Sequence, residues 1–332
     1  MTKRIGIIGA GSWGTALAII AARAGHDVTL WSRHPEAVNS INARRVNDRY
    51  LTSFSIPDRV TATNEIANAL REASLVLLAA PSHAARDLLT QMAPALSESA
   101  VIVSVSKGIE IETGKRISEI VKEVVGGANP FVCLSGPSFA KEVVAGQPTA
   151  VVAASKDAVA ARTVQADLSF ENLRIYTNAD VVGTEIGGSV KNVMAIAAGM
   201  TTGSGLGSNS VAALITRGLA EITRLARREG AQLETLMGLA GLGDLVLTCT
   251  GSLSRNRFVG EQLGKGISLE EISAGMNEVA EGIKTTLAVK QLADKAGLEM
   301  PITNEVKAVL YDGKSVRDAV AELMSRPLRE EA

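Results

Sequence analysis

The sequence predicts a mainly parallel, doubly wound α/β sheet followed by an all-helical domain. Short β-rich segments alternate with helical patterns in the first half of the 332-residue chain, as expected when helices cover both faces of a parallel sheet. After Asp180, apolar residues recur only at helical spacing. The chain is also long for a single hydrophobic core. We therefore assign residues 1–178 to the first domain and residues 179–332 to the second.

The elements of the first domain follow from short apolar runs and the amphipathic patterns between them. The predicted strands are residues 5–8, 28–31, 75–78, 101–105, 131–134, 150–153 and 173–176. The predicted helices are residues 15–24, 83–95, 113–124 and 158–168. The strands after Gly136 are compatible with either a parallel or an antiparallel direction at the edge of the sheet.

The second domain begins where Asp180 provides a helix N-cap ahead of a long apolar pattern. We expect this first helix to run through Ile186, Val190 and Ala197. Further predicted helices are residues 212–229, 233–237, 257–263, 269–274, 283–295, 302–310 and 316–324.

Composition narrows the class of protein. The net charge is −1, with 34 basic and 35 acidic residues, so no overall field attracts a nucleic acid. The two cysteines cannot form a disulfide framework. The chain shows neither a cleavable leader nor an apolar run of about 20 residues. We therefore expect a cytoplasmic protein with no nucleic-acid partner and no membrane span.

The segment Gly9–Gly14 has the G-x-G-x-x-G spacing between a predicted strand and a predicted helix. Gly9 permits a tight turn, Gly11 admits a pyrophosphate close to the backbone, and Gly14 lets the helix pack on the strand. The start of the helix then binds the anion. This context predicts a dinucleotide site of the Rossmann type, the alternative being an incidental glycine-rich turn.

The end of the next strand indicates which nicotinamide is used. NAD-specific sites commonly place an acidic residue there to bind the ribose 2′-hydroxyl. Here Arg33 and His34 follow the strand instead, so NADP is favoured and NAD remains the second choice. The alternative is that Arg33 is an ordinary solvated surface charge.

A dehydrogenase needs a group that exchanges the alcohol proton while hydride moves. All three histidines lie within the first 83 residues, which leaves lysine as the acid or base of the helical domain. Lys191 is the only lysine between residues 156 and 265, and Gly187 and Gly188 lie one turn before it. We interpret these glycines as space for a nicotinamide ring, the alternative being tight helix packing beside an exposed lysine.

Three further segments supply candidates for binding an anionic substrate. A glycine-rich segment, residues 238–243, is predicted to be a loop that presents Asp244. Ser254, Arg255 and Asn256 precede a helix and could bind a phosphate, although an ordinary solvated loop is the alternative. Lys107 follows a predicted strand and is expected to enter the same crevice, because ligands of such sheets bind at the carboxyl ends of strands.

Together these segments resemble the bacterial NAD(P)-dependent glycerol-3-phosphate dehydrogenases over nearly the whole chain. The matching motifs are the Gly9–Gly14 loop, Ser106-Lys107-Gly108, Ser135-Gly136-Pro137-Ser138-Phe139-Ala140, Lys191-Asn192-Val193, Gly241-Leu242-Gly243-Asp244-Leu245 and Ser254-Arg255-Asn256.

The resemblance implies a Rossmann domain joined to a helical domain like that of 6-phosphogluconate dehydrogenase, in a homodimer. Lys191 would accept a proton when glycerol 3-phosphate is oxidised, or donate one when dihydroxyacetone phosphate is reduced for phospholipid synthesis. The implied substrate-binding residues are Lys107, Gly136, Ser138, Lys191, Asp244, Ser254, Arg255 and Asn256, with Asn192 and Thr248 close by. The implied cofactor-binding residues are Ser12, Trp13, Arg33, His34, Lys107, Ala140, Arg255, Val279 and Glu281. No metal ligand is assigned.

Two other functions are compatible with these patterns. One is a dehydrogenase of the same architecture that acts on a hydroxy acid or a sugar acid. The other is a non-catalytic NAD(P) sensor, in which Lys191 would have no role in turnover.

Overall fold

The computed structural model describes residues 1–276, 280–328 and 330, and its first half is built on one eight-stranded sheet. The strands are β1 (Arg4–Ile8), β2 (Asp27–Trp31), β3 (Val60–Thr63), β4 (Leu75–Leu78), β5 (Val101–Ser104), β6 (Phe131–Ser135), β7 (Thr149–Ala154) and β8 (Leu173–Asn178). Their spatial order is β3-β2-β1-β4-β5-β6-β7-β8. Only the β6–β7 pairing is antiparallel, which settles the direction of the last strands and confirms the mainly parallel sheet.

Helices cover both faces of this sheet. They are α1 (Ser12–Arg23), α2 (Pro35–Arg44), α3 (Ile66–Leu70), α4 (Ala85–Met92), α5 (Ile117–Val124), α6 (Ala140–Val144) and α7 (Ala158–Leu168). The helix predicted over residues 83–95 is wrong at both ends, where 3₁₀ turns flank α4 and Pro94 prevents its continuation. Strand β3 and helices α3 and α6 were not predicted, because β3 has only four residues at a sheet edge and α3 and α6 have only five each. Helix α2, which has 10 residues, was not predicted either.

The second half contains no strand among its described residues. Its helices are α8 (Val181–Gly203), α9 (Ser208–Arg228), α10 (Leu233–Met237), α11 (Asp244–Thr250), α12 (Arg255–Gly264), α13 (Leu269–Ala274), α14 (Glu281–Ala296), α15 (Pro301–Tyr311) and α16 (Val316–Ser325). A π-helical turn, Leu239–Gly243, leads directly into α11. None of these described helices is both long and apolar enough to cross a membrane.

Helix α8 is the centre of the helical half. Asp180 caps it as predicted, accepting a hydrogen bond from the Gly183 backbone N–H at 2.8 Å. Nearly every residue of α8 is buried, including the polar side chains of Glu185, Lys191 and Asn192, so the rest of the protein surrounds this helix. Strand β8 ends at Asn178 and α8 begins at Val181, while the domain boundary itself stays a prediction.

Glycines allow α8 and α12 to cross with their backbones in contact. A Cβ atom at Gly199 would lie 2.0 Å from the Arg257 carbonyl oxygen, and one at Gly260 would lie 1.9 Å from that of Ile196. No larger side chain fits at these crossings. The crossing places the first turn of α12 beside the middle of α8, where Lys191 and Asn192 lie.

Candidate active site

The glycine loop after β1 has the geometry of a dinucleotide site. Gly9 has φ +119°, and a Cβ there would lie 2.4 Å from the Ala79 carbonyl oxygen. A Cβ at Gly14 would lie 1.9 Å from the Gly9 carbonyl oxygen, so α1 packs tightly on the loop. A Cβ at Gly11, in contrast, would meet no protein atom within 4 Å. Protein packing does not require glycine at position 11, and this open space fits a pyrophosphate.

Ser12 and Trp13 form the first turn of α1, whose N-terminus no side chain caps within the described chain. Anions bind at such ends because N–H groups point outward and the helix dipole is positive there. Trp13 is half-buried against the core of the sheet domain, and so is Ala140, the first residue of α6. The structure thus provides the expected surroundings for a cofactor phosphate.

Arg33 and His34 follow β2 at its carboxyl end, as predicted. The Arg33 Nε–H donates to Nε2 of His34 at 3.1 Å, and Arg33 is exposed. Burial lowers the pKa of His34, and the positive charges of Arg49 and Arg33 lower it further. Arg49 was not identified from the sequence, because it lies in the segment between α2 and β3, which shows no periodic pattern.

A cluster of two lysines and one carboxylate lies where the two halves meet. The Lys107 ammonium donates to one oxygen of Asp244 at 2.8 Å and to the Gly136 carbonyl oxygen at 3.0 Å. The Lys191 ammonium donates to the other oxygen of Asp244 and, at 2.8 Å, to the Thr248 hydroxyl. We call Lys107, Lys191 and Asp244 the lysine cluster.

The lysine cluster is largely shielded from water. Lys191 is 5% exposed and Asp244 is 1% exposed. Burial lowers the pKa of Lys191 to about 8; the Asp244 carboxylate opposes this shift and the Lys107 ammonium adds to it. A lysine with a pKa near 8 can both donate and accept a proton close to neutral pH.

Asp244 is positioned by the π-helical turn, not by the predicted loop, and it is the first residue of α11. A Cβ at Gly187 of α8 would lie 2.7 Å from the Ala240 carbonyl oxygen of this turn. A Cβ at Gly188 would lie 2.7 Å from the Ser135 hydroxyl oxygen. Protein atoms therefore fill the space in front of both glycines, so the prediction that these glycines leave room for a nicotinamide ring was wrong and the alternative of tight packing is observed. The other part of that alternative, an exposed lysine, is not observed, because Lys191 is buried.

A chain of amides connects the cluster to α12 and α14. The Asn192 amide donates to the Lys107 carbonyl oxygen at 3.1 Å, and the Asn256 amide donates to the Asn192 side-chain oxygen at 3.0 Å. The Asn256 oxygen in turn accepts from the Gly282 N–H at 2.9 Å. These bonds fix the Lys107 backbone relative to the helical half.

Gly136 and Ser138, which follow β6, lie beside the lysine cluster. Gly136 has φ +140°, and a Cβ there would lie 2.9 Å from the Val151 Cα atom, so only glycine fits. The Ser138 hydroxyl donates to the Gly136 carbonyl oxygen at 3.0 Å, beside the Lys107 ammonium that donates to the same atom.

Glu281 lies within electrostatic reach of the two lysines of the lysine cluster and of Arg255. Burial raises the pKa of Glu281 to about 7, while Arg255 and the two lysines of the cluster oppose the shift. Burial lowers the pKa of Arg255, opposed by Glu281 and Tyr50. Tyr50 is a second residue that sequence reasoning missed. Ser254 caps α12 and accepts from the Arg257 N–H at 3.2 Å.

The structure thus separates the predicted residues into two groups. Arg33 and His34 follow β2, whereas Lys107 follows β5, three strand spacings or about 14 Å across the sheet. Val279 falls outside the described residues. Within the described residues, no cluster of histidine, cysteine and carboxylate side chains is placed to hold a metal ion.

The sequence matches two family descriptions. Residues 4–161 match the NAD-dependent glycerol-3-phosphate dehydrogenase N-terminus, and residues 180–321 match the C-terminus of the same family. The glycerol-3-phosphate dehydrogenase [NAD(P)+] of Koribacter versatilis is 56% identical over 98% of this chain and 98% of its own length. That of Citrifermentans bemidjiense is 50% identical over 100% of this chain and 99% of its own length.

Comparison with solved structures supports the same family. The crystal structure of glycerol-3-phosphate dehydrogenase from Coxiella burnetii has a TM-score of 0.95 and 41% identity, and the match covers 98% of this chain and 99% of that one. D-mandelate dehydrogenase with NADH has a TM-score of 0.65 at 13% identity over 96% of this chain and 99% of that one, a likeness of fold alone. By sequence and by structure, the chain belongs to the NAD-dependent glycerol-3-phosphate dehydrogenase family.

Proposed function

We propose that this chain catalyses reversible hydride transfer between NAD(P)H and dihydroxyacetone phosphate, giving sn-glycerol 3-phosphate for phospholipid synthesis. The observation that carries the proposal is the lysine cluster, in which one buried carboxylate holds two ammonium groups at the carboxyl ends of the sheet strands. Family membership supplies the substrate class.

Lys191 exchanges the proton of the substrate oxygen. With its pKa near 8, the protonated form donates to the carbonyl oxygen during reduction, and the neutral form accepts the hydroxyl proton during oxidation. Asp244 orients Lys191 and compensates the two buried cations. Lys107 stabilises the negative charge that develops on the substrate oxygen.

Arg255 binds the substrate phosphate. It lies at the start of α12, next to the Ser254 cap and to Asn256, which is fixed by its bonds to Asn192 and Gly282. A guanidinium beside a helix N-terminus suits a dianionic phosphate. Gly136 and Ser138 lie beside the Lys107 ammonium and would contribute backbone and hydroxyl groups to the same substrate.

When bound, the nicotinamide supplies or accepts the hydride. The Gly9–Gly14 loop and the first turn of α1, including Ser12 and Trp13, would hold the pyrophosphate. Arg33 and His34 would hold a 2′-phosphate, so NADP is preferred and NAD is second. Val279, Ala140 and Glu281 are proposed cofactor contacts on the strength of the family resemblance, which also supports a cytoplasmic homodimer.

A substrate panel with both reduced cofactors tests the proposal. We expect kcat/KM for dihydroxyacetone phosphate to exceed that for dihydroxyacetone by about 10³-fold or more, because only the phosphorylated ketone uses the binding energy of Arg255. The panel also includes 2-keto acids and sugar acids. Undetectable turnover of dihydroxyacetone phosphate beside rapid turnover of a keto acid would overturn the substrate assignment.

A further inference from the structure

Two arginines near the carboxyl end of β2 lack the carboxylate partners that neighbouring arginines have. Arg44 pairs with Asp48, Arg45 with Asp58 and Arg59 with Asp27. Among the described residues, no carboxylate lies within ion-pair distance of Arg33 or of Arg49. We call these two residues the arginine pair.

The position of Arg49 is fixed by a buried side chain. Asn47 is 0% exposed, and its amide donates to the Ala10 carbonyl oxygen at 3.0 Å and to the Thr15 hydroxyl at 2.9 Å. Its side-chain oxygen accepts from the backbone N–H groups of Arg49 and Tyr50, each at 3.2 Å. Asn47 therefore holds the backbone of Arg49 against the glycine loop and the start of α1.

Both members of the arginine pair lie within electrostatic reach of His34. The His34 ring accepts a hydrogen bond from Arg33. Burial is the largest cause of the lowered pKa of His34, the charges of Arg49 and Arg33 lower it further, and Glu36 opposes this shift. Two cations thus face one partly buried imidazole at the end of β2. Like charges held close together repel unless an anion lies between them, and a Rossmann fold places the adenosine ribose at this strand end.

We infer that Arg49 is a second cation for the 2′-phosphate of NADP and, together with Arg33, determines the preference for NADP over NAD. The inference rests on the proposed use of NADP and assigns a role to the segment between α2 and β3. Two guanidinium groups can surround a phosphate dianion with charge-assisted hydrogen bonds, whereas the 2′-hydroxyl of NAD offers no charge to bind.

The test compares Arg49→Met with Arg33→Met and with a matched control, Arg59→Met. Arg59 is an exposed arginine of the same sheet, but it precedes β3 and so lies at the opposite, amino end of the strands. Calorimetry would measure binding of 2′,5′-ADP and of 5′-AMP, which differ only in the 2′-phosphate. Steady-state kinetics would measure kcat/KM for NADPH and NADH.

We expect Arg49→Met and Arg33→Met each to weaken 2′,5′-ADP binding by about tenfold, the effect of one charge-assisted hydrogen bond. Affinity for 5′-AMP should fall much less, so the ratio of the two affinities, and with it the ratio of kcat/KM for NADPH to that for NADH, should fall by about fivefold or more. The control Arg59→Met should change neither ratio. Because the binding assay requires no turnover, it is independent of the substrate assignment.

The possible failures are distinguishable. If the wild-type protein binds 2′,5′-ADP no more tightly than 5′-AMP, the proposed NADP preference is wrong and the role of Arg49 falls with it. If the wild type prefers 2′,5′-ADP and only Arg33→Met loses the preference, the NADP proposal stands and the inference about Arg49 is overturned. If Arg49→Met lost affinity for both nucleotides equally, the inference about Arg49 would also be overturned, because such a loss would indicate a disturbed glycine loop.

Discussion

At one end of the cofactor crevice, Lys191 and Asp244 are 5% and 1% exposed and every charge of the lysine cluster contacts another. At the other end, the arginine pair is exposed and no described carboxylate neutralises it. Burying a charge costs folding free energy unless the charge is paired, whereas an exposed charge costs little and can stay unpaired until a ligand binds. The comparison predicts that substitutions in the lysine cluster change chemistry and pH dependence, while substitutions in the arginine pair change only the choice of cofactor.

The largest effect is expected for Lys191→Met. Methionine has a similar length and fills the buried site, but it cannot exchange a proton. We expect kcat for dihydroxyacetone phosphate reduction to fall by about 10³-fold or more. NADPH affinity, measured by quenching of protein fluorescence, should change less than about threefold.

Retention of more than a tenth of the wild-type kcat in this variant would mean that another group supplies the proton. It would also favour the alternative of an NAD(P) sensor, in which Lys191 has no role in turnover. A loss of NADPH binding of the same size as the loss of turnover would instead show that the two ends of the crevice do not act separately.

A smaller effect with a diagnostic pH signature is expected for Asp244→Asn. Reduction requires protonated Lys191, so wild-type kcat/KM for reduction should fall with rising pH with a midpoint near the pKa of about 8, and that for oxidation should rise. The Asp244 carboxylate raises the pKa of Lys191, so its removal should move both midpoints to lower pH. We also expect a loss of about 10²-fold in kcat/KM.

Lys107→Met provides the opposite shift as a control. The Lys107 ammonium lowers the pKa of Lys191, so its removal should move the midpoint to higher pH. If both variants moved the midpoint in the same direction, the electrostatic coupling within the lysine cluster would not be the cause.

The sequence predicted the parts of the molecule that depend on local patterns. The alternation of strands and helices, the cap at Asp180 and the role of Gly9 in a tight turn all follow from periodicity or from backbone conformation within a few residues. Helices α10 and α13 were predicted with their observed bounds. That Lys107, Lys191 and Asp244 would meet rested on the rule for strand ends and on the family resemblance.

What could not be predicted depends on contacts between distant segments. The glycines before Asp244 indicated a loop, yet they form a π-helical turn that packs against Gly187 of α8, more than 50 residues earlier in the chain. π-helical turns are rare and carry no strong sequence pattern. Arg49 was missed for the same reason, since the contacts of Asn47 with Ala10 and Thr15, more than 30 residues earlier, bring it to the glycine loop.

The smallest effects are expected from adding one methyl group at each end of the crevice. At Gly187 the new Cβ would lie 2.7 Å from the Ala240 carbonyl oxygen, so the π-helical turn must move. Overpacking outweighs the gain in helix propensity, and we expect Gly187→Ala to lower Tm by about 3–6 °C. The control is Gly243→Ala, which adds a methyl group within the π-helical turn itself. The nearest atoms to this Cβ would be 3.7 Å away, so Tm should not fall.

Gly11→Ala should behave in the opposite way. Gly11 has φ −73°, which alanine adopts without strain, and its Cβ would meet no protein atom within 4 Å. We expect Tm to stay within about 1 °C of the wild type while NADPH affinity falls about tenfold, because the methyl group occupies the space proposed for the pyrophosphate. A stable Gly11→Ala protein with unchanged NADPH affinity would show that the cofactor does not approach this backbone. In that case the open space at Gly11 would be no part of the cofactor site.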